Sequence, residues 1–307
     1  YPNQHQIHKA MLNQELIVAH ELFMTPTAMM ADYVLPGDAF SERNHIADTW
    51  SWTTRLGLSQ KMAEPPEQAS NSYQFWRDLA VRFGFEEWFP WSTHDEVLDY
   101  RLSRSGRSFS DFEARGFMEI PPVRYRKYRK TGFATPSGKV ELSSSVLGDL
   151  GFDPLPYFRP GPATSEEFPY LVFNGVREDP FFQTGQRNIK ELRDRCPVPR
   201  IFMHPDDAKR EALTDGEWIE LQTAYGAVSA ELSVQPNMKT GHLRVPHGWW
   251  YPEATDTETL AGAFLSSDAV LCSDDDELLD REQGIPHFKG FPGRVVKAAK
   301  PDAIGAA

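Results

Sequence analysis

The chain has 307 residues, of which 40% are hydrophobic, and its 32 basic and 44 acidic side chains give a formal net charge of −12. A chain of this length can bury a large core, and we expect two domains of ordinary size. The acidic balance argues against attraction of the whole surface to nucleic acid or anionic lipid, so an anion-binding site has to be local.

The chain has two cysteines, Cys196 and Cys272. They form no CxxC pair, and two thiols exclude both a disulfide framework and a cysteine cage for zinc or an iron-sulfur cluster within this chain. No stretch approaches the roughly 20 apolar residues that a membrane-spanning helix needs. The chain starts without Met and without signal-peptide features, so we expect a piece of a longer protein, with a processed mature protein as the alternative.

The first half of the chain has the pattern expected of the C-terminal end of an α/β domain. An apolar run at residues 15–19 follows a helix-like stretch, and a second run, Tyr33–Pro36, comes after a polar segment. These runs predict two strands of a parallel sheet. Apolar residues at helical spacing over residues 76–83 predict a helix that ends at Gly84.

Capping signals predict two more helices in this half. Thr93 and Glu96 form a capping box ahead of an apolar run. Ser110 and Glu113 repeat the pattern, and Gly116 then ends the second helix. These helices would be an insert of the α/β domain.

Closely spaced prolines mark a domain boundary. The segment from about 153 to 168 includes Pro154, Pro156, Pro160 and Pro162, and it can form neither a helix nor the centre of a sheet. We therefore place one domain at residues 1–160 and a second at residues 161–307.

The second domain is predicted to be a small β-barrel with one or two inserted helices. Alternating apolar residues over 219–234, with a turn at Tyr225-Gly226, predict a β-hairpin. Leu243–Val245 predicts a further strand. Pro205, directly after His204, predicts the first turn of an inserted helix.

Five sequence elements follow one another along most of the chain. They are Thr25–Pro36 with Glu42-Arg43; Gly132–Leu142, which contains Thr-Pro-Ser-Gly-Lys; Asn174-Gly175-Val176-Arg177 with Gln183-Thr184-Gly185-Gln186-Arg187; His204–Ala208 with Asp215–Ile219; and His247-Gly248-Trp249-Trp250-Tyr251-Pro252-Glu253. Their order and spacing resemble the C-terminal portion of molybdopterin-dependent oxidoreductases of the dimethyl sulfoxide reductase family. Asn174 stands where the family commonly has Thr and Gln183 where it has His, and both replacements can still form hydrogen bonds.

The resemblance implies a fold of class α/β plus β. The end of a Rossmann-like α/β domain with a helical insert would be followed by a double-psi β-barrel of the aspartate-decarboxylase-like type, the molybdopterin dinucleotide-binding domain. It implies molybdopterin guanine dinucleotide with molybdenum or tungsten as the cofactor. The metal ligand and any iron-sulfur cluster would lie in an N-terminal part outside this chain. The chain would thus hold no catalytic residue and no metal ligand, and would be inactive alone.

The resemblance also assigns cofactor-binding residues, mainly in three turns. They are Asn174, Gly175, Val176, Arg177, Phe182, Gln183, Thr184, Gly185, Gln186, His247, Gly248, Trp249, Trp250 and Lys289. Glycines let the backbone approach a ligand, arginine makes forked bonds to phosphate, and glutamine pairs with the edges of heterocycles. We expect the turns near 175, 185 and 248 to converge on one polar cleft.

Several of these features have simpler interpretations. The paired indoles of Trp249 and Trp250 could only fill a core, and Lys289, next to Phe288, could be an exposed lysine without a role. His5 and His8 lie one helical turn apart, but a surface helix is a simpler reading than a metal site. The cations and tyrosines of residues 124–130 could contact nucleic acid, although a solvated edge strand or a contact within the parent enzyme fits the acidic chain better.

The parent reaction implied by the family is two-electron redox chemistry or oxygen-atom transfer at the metal. A non-redox hydratase or transhydroxylase of the same family is an alternative, as is a stand-alone barrel that binds a ligand or partner. The expected partner is the N-terminal part of the same enzyme, and an iron-sulfur electron-transfer subunit is a further candidate. Nucleic acid and direct membrane insertion are not expected. The sequence leaves the compartment open between cytoplasm and periplasm.

Overall fold

A computed structural model describes residues 2–47, 55–119, 124–155, 157–158, 160–280, 282–287 and 289–302. The helices are α1 (Gln4–Leu12), α2 (Ser72–Arg82), α3 (His94–Ser103), α4 (Phe109–Glu113), α5 (Tyr128–Thr131), α6 (Ser145–Asp149), α7 (Lys190–Arg193), α8 (Pro205–Arg210) and α9 (Ala263–Ser266). The strands are β1 (Val18–Glu21), β2 (Tyr33–Pro36), β3 (His45–Ala47), β4 (Arg55–Ser59), β5 (Phe117–Glu119), β6 (Tyr170–Val176), β7 (Arg200–Met203), β8 (Trp218–Gln222), β9 (Ala227–Val234), β10 (His242–Pro246), β11 (Leu279–Asp280), β12 (Ile285–Pro286) and β13 (Lys289–Lys297).

The chain forms two compact units. One consists of Val18–Phe23 and Ala31–Val140, and the other, the barrel unit, of Tyr1–Ile17, Met24–Met30 and Glu141–Ala307. The sequence-based boundary near residue 160 remains a prediction.

In the first unit, β1 and β2 pair in parallel, with Val18 opposite Tyr33 and Glu21 opposite Pro36. The predicted parallel pairing is therefore confirmed. The first strand begins at Val18 rather than at residue 15, because the four residues of its partner set how far the ladder extends. The Rossmann-like character of the domain as a whole remains a prediction.

The helix predicted over residues 76–83 is present as α2. The Asn71 side chain caps it by accepting a hydrogen bond from the amide of Gln74, and Gly84 follows its end at a φ of +79°. Its apolar face is only partly covered, since Ala80 is buried while Trp76 is 57% exposed and Phe83 69%. The core of this unit is formed instead by Ile46, Leu98, Leu102, Phe109 and Phe112.

Of the two helix caps predicted next in the chain, one is confirmed and the other is wrong. Thr93 caps α3 as predicted, because its hydroxyl accepts a hydrogen bond from the Glu96 amide. The cap predicted at Ser110 and Glu113 is wrong, since α4 is capped by Ser108 together with Asp111. Starting the helix two residues earlier turns both of its phenylalanines into the core, and this burial decides between two equally good serine caps.

Residues 124–130 do not form the expected edge strand. The described segment is a turn followed by the short helix α5, and Tyr125 is 94% exposed. The Thr135–Lys139 segment forms a turn, with the Gly138 amide bonded to the Thr135 carbonyl at 2.9 Å.

The barrel unit contains a closed barrel of six strands in the order β10-β6-β13-β8-β9-β7. Two neighbouring pairs, β10 with β6 and β7 with β9, are parallel, and the others are antiparallel. The predicted barrel is confirmed, and its double-psi topology remains a prediction. No helix among the described residues has the length and apolar character to cross a bilayer.

The predicted hairpin forms two of the barrel strands. Ile219 lies opposite Ala230 and Leu221 opposite Val228, and all four side chains are buried in the barrel core. The inserted helix predicted at His204-Pro205 is α8, whose N-cap is His204. The alternation of apolar residues therefore gave the correct inward face of both strands.

Candidate cofactor-binding site

Three loops meet at one end of the barrel. The first loop (residues 174–177) includes the end of β6, the second (residues 182–187) comes next along the chain, and the third (residues 247–250) follows β10. Because β6 and β10 are parallel neighbours, with Val176 opposite Pro246, the first and third loops begin at the same edge of the barrel.

The carboxylate of Asp268 joins the first loop to the third. It accepts hydrogen bonds from the Gly175 amide at 3.0 Å, the Gly248 amide at 2.8 Å and the Nδ1 atom of His247 at 3.0 Å. A carboxylate only accepts, so His247 carries its proton on Nδ1 in this contact. Asp268 is 1% exposed. It begins a short 3-10 helix (Asp268–Leu271) after α9 and bonds to both loops.

The guanidinium of Arg187 joins the second loop to the third. It donates to the carbonyl oxygens of Gln183 at 2.8 Å and His247 at 3.0 Å, and its Cζ lies 4.7 Å from the ring centre of Trp249. The residue is 1% exposed. Burial, assisted by the nearby Arg193, lowers the pKa of Arg187 to about 10, so the group keeps its charge at neutral pH.

The paired indoles support the same loops from the interior. Trp250 donates its Nε1 proton to the Thr184 carbonyl at 2.9 Å, which links the second and third loops again. Trp249 is 0% exposed and packs edge-on against Phe181. Both side chains hold the loops and are too deeply buried to meet a ligand. The predicted convergence of the turns near 175, 185 and 248 is thus confirmed.

The outer surface of these loops offers open backbone and polar side chains. Gly175, Arg177, Phe182, Gln183, Thr184, Gly185 and Gln186 are exposed. Gly175 and Gly248 have left-handed φ values of +71° and +59°, and Gln183 and Gln186 also have positive φ. A Cβ built on Gly175 would meet no atom within 4 Å, so a ligand can approach this backbone closely.

Two cations lie beside this surface. The guanidinium of Arg177 stands 5.0 Å from the ring centre of Phe182. Lys289 is exposed at the start of β13, where it pairs with Phe173, the residue before Asn174. Phe288 lies outside the described residues. These cations are placed to attract an anionic ligand to the first loop.

Asn174, the first residue of the first loop, is buried. Its Nδ2 donates to the Cys272 sulfur at 3.0 Å, while its Oδ1 has no hydrogen-bond partner within the described part of the chain. Burial, more than the neighbouring Asp268, raises the pKa of Cys272 to about 12, so its thiol stays protonated. An unpartnered buried oxygen beside open turns and exposed cations fits a ligand that carries both phosphates and hydrogen-bond donors.

Sequence reasoning missed the two residues that organise the loops. Arg187 ends a motif that was recognised, but no role was assigned to it. Asp268 lies outside every motif, and only its burial together with three donors from other loops identifies it.

Within the described ranges, no group of three or more His, Cys, Asp and Glu side chains could hold a metal ion. The rings of His5 and His8 pack on Phe264.

A six-stranded barrel with three converging, partly glycine-built loops and local cations is the arrangement expected of a domain that binds an extended anionic cofactor. Residues 171–278 match the family model described as molydopterin dinucleotide binding domain, and residues 1–82 match the model described as molybdopterin oxidoreductase. The chain belongs to the dimethyl sulfoxide reductase family of molybdopterin proteins.

Curated relatives are much longer than this chain. It is 40% identical to acetylene hydratase of Syntrophotalea acetylenica over 98% of its length and 42% of that protein. It is 27% identical to trimethylamine-N-oxide reductase of Haemophilus influenzae over 79% of this chain and 33% of that protein. The structure of acetylene hydratase from Pelobacter acetylenicus matches 97% of this chain and 42% of that chain, with a TM-score of 0.90 and 39% identity.

Proposed function

We propose that this chain is the cofactor-binding C-terminal part of a bis-molybdopterin guanine dinucleotide enzyme, and that its three loops form one wall of the cofactor site. The observation that carries the proposal is the single buried Asp268 carboxylate that gathers Gly175, His247 and Gly248. That arrangement fixes glycine-containing turns beside exposed polar side chains, which gives a large ligand close access to the backbone and several hydrogen-bond partners.

Each part of the surface has a role in this proposal. Gly175 and Gly185 admit the ligand to the backbone, and Arg177 and Lys289 bind its phosphates. Gln183 and Gln186 pair with the edges of its heterocycles, and His247 offers its second ring nitrogen, since Nδ1 is bonded to Asp268. The side chain of Val176 is not described, so only its backbone enters the proposal.

The bound cofactor would supply the chemistry through its molybdenum or tungsten. The metal ligand and any iron-sulfur cluster would come from the N-terminal part of the same enzyme, which is the chief partner in this proposal. This chain alone would therefore be inactive. Its work is to bind and orient the cofactor and to keep water from it.

Two reaction classes are open to the whole enzyme. Two-electron redox or oxygen-atom transfer is the reaction implied by the family in general, and it would call for an iron-sulfur electron-transfer partner. Hydration of a small alkyne is the second candidate. It is favoured by the 40% identity to acetylene hydratase over nearly the whole chain, against 27% to trimethylamine-N-oxide reductase.

The proposal is tested on the full-length protein, produced in a host that makes the cofactor. Elemental analysis should find molybdenum or tungsten. Oxidation of the protein should release pterin and guanine nucleotide in fixed proportion to the amount of protein. Full-length protein without pterin and metal would overturn the proposal and leave the stand-alone binding barrel.

The same preparation distinguishes the two reactions. A hydratase would convert acetylene and water into acetaldehyde without consuming an electron acceptor. A reductase would oxidise a reduced viologen dye when given trimethylamine N-oxide or dimethyl sulfoxide. Dye oxidation without acetylene hydration would exclude the second candidate.

A further inference from the structure

We propose that Asp268 and Arg187 are positioning residues of the cofactor site, which hold the peptide group between His247 and Gly248 from its two ends and thereby keep all three loops in their binding shape. The inference rests on the proposed function, because the ligand for which the loops are shaped is the dinucleotide.

The two charged side chains share one peptide group. Its carbonyl, on His247, accepts from Arg187 at 3.0 Å, and its N–H, on Gly248, donates to Asp268 at 2.8 Å. The peptide dipole is thus aligned between a cation and an anion. Each hydrogen bond polarises the peptide in the direction that strengthens the other.

The remaining contacts of each side chain reach a different loop. Asp268 accepts from the Gly175 amide of the first loop, and Arg187 donates to the Gln183 carbonyl of the second. Over the part of the chain that the structure describes, Arg187 has no carboxylate within salt-bridge distance. The two charges therefore act through the loops between them, and removing either leaves the loop groups that it bonds without that partner.

These contacts end on groups of the three loops. What they hold in place is exposed turns, with left-handed backbone at Gly175 and Gln183. Holding such turns before a ligand arrives removes an entropy cost from binding, so the expected effect falls on cofactor retention.

Asp207 provides a matched control at the other end of β10. It is 0% exposed, accepts from the Gly241 amide at 2.7 Å and pairs with Arg210 at 2.7 Å. Gly241 precedes β10, whereas Gly248 follows it. Replacing Asp207 with Asn makes the same chemical change in the same barrel, away from the three loops.

The experiment uses full-length protein and the variants Asp268→Asn, Arg187→Met, Arg187→Lys and Asp207→Asn. Metal and pterin content are measured after purification, the rate of pterin release is followed during dilution and gel filtration, and unfolding is recorded in urea. Asp268→Asn and Arg187→Met should release pterin at least ~10-fold faster than wild type. Arg187→Lys, which keeps the charge but reaches only one carbonyl, should be intermediate.

The Asp207→Asn protein should lose stability yet release pterin at the wild-type rate. Loaded wild-type protein together with unchanged release from Asp268→Asn and Arg187→Met would overturn the positioning role alone. The same holds if Asp207→Asn accelerates release as much as Asp268→Asn, because the effect would then follow stability. A full-length wild-type protein without pterin would instead overturn the proposed function, and this inference with it. Should Arg187→Met be insoluble, Arg187→Lys decides, and wild-type release from that variant would count against the inference.

Discussion

The methyl group of Thr184 occupies the space that a side chain on Gly248 would need. A Cβ at Gly248 would lie 2.1 Å from the Thr184 Cγ2, and Gly248 also has a φ of +59°. The second and third loops can approach each other this closely because residue 248 has no side chain.

Replacing Gly248 with Ala should therefore destabilise the protein for two reasons. The left-handed backbone costs an L residue about 1–2 kcal/mol, and forcing a methyl group against Thr184 costs about 1–3 kcal/mol. We expect a loss of about 2–5 kcal/mol in the free energy of unfolding, measured in urea.

Thr184→Ser supplies the control, because it removes the Cγ2 and keeps the hydroxyl. In the double variant Thr184→Ser/Gly248→Ala, the part of the stability loss that comes from the clash with the methyl group should disappear. The part that comes from the left-handed backbone at residue 248 should remain. A single variant as stable as wild type would show that these loops do not meet as described.

Lys289→Ala should weaken cofactor binding and leave folding nearly unchanged. The side chain is exposed, so its removal should change the free energy of unfolding by no more than ~0.5 kcal/mol. Loss of one phosphate contact should accelerate pterin release from the full-length protein several-fold. Lys209→Ala, at an exposed lysine of α8, is the matched control and should release pterin at the wild-type rate. Equal rates of pterin release from the two variants would show that Lys289 does not bind the cofactor.

Glu178 should make stability depend on pH in an unusual direction. Burial raises the pKa of this carboxyl despite Arg200 at 4.0 Å and Arg244 at 3.6 Å. A raised folded pKa means that its contribution is fully present below the unfolded value, near 4.5, and is lost as pH rises through the folded pKa. Wild type should therefore gain stability relative to Glu178→Gln as pH falls from 7 towards 4.5.

Glu217 is the control of opposite sign. A hydrogen bond from Lys297 lowers the pKa of this partly exposed carboxyl below 4.5, so wild type should lose stability relative to Glu217→Gln as pH falls from 4.5 through that folded pKa. Urea unfolding at several pH values measures both differences. Parallel curves for wild type and Glu178→Gln would contradict the burial of Glu178.

Cys272 should be unreactive in the folded protein. Its thiol is buried and bonded to Asn174, and with its pKa raised to about 12 very little thiolate exists at pH 8. In a Cys196→Ala background, modification by a disulfide reagent at pH 8 should be at least ~100-fold slower than after unfolding. Reaction at the unfolded rate would mean that the thiol is accessible and that the Asn174 contact is not formed.

Local patterns predicted the elements whose neighbours are close in sequence. The hairpin of β8 and β9 followed from alternation and a Tyr225-Gly226 turn, and α2 from helical spacing and Gly84. Both depend on a few adjacent residues. The start of α4 was predicted wrongly because two serines offered the same capping signal and only burial of Phe109 and Phe112 chose between them.

The order of the sequence motifs was enough to identify the family and to locate the three loops, because each motif consists of residues that are adjacent or nearly adjacent in the chain. The hydrogen bonds that bring the loops together could not be found that way. Asp268 accepts from residues 93 and 20 positions away, and no local pattern of spacing or polarity marks such a contact. Only the closing of the barrel, which sets β6 beside β10, brings one buried carboxylate within reach of both loops.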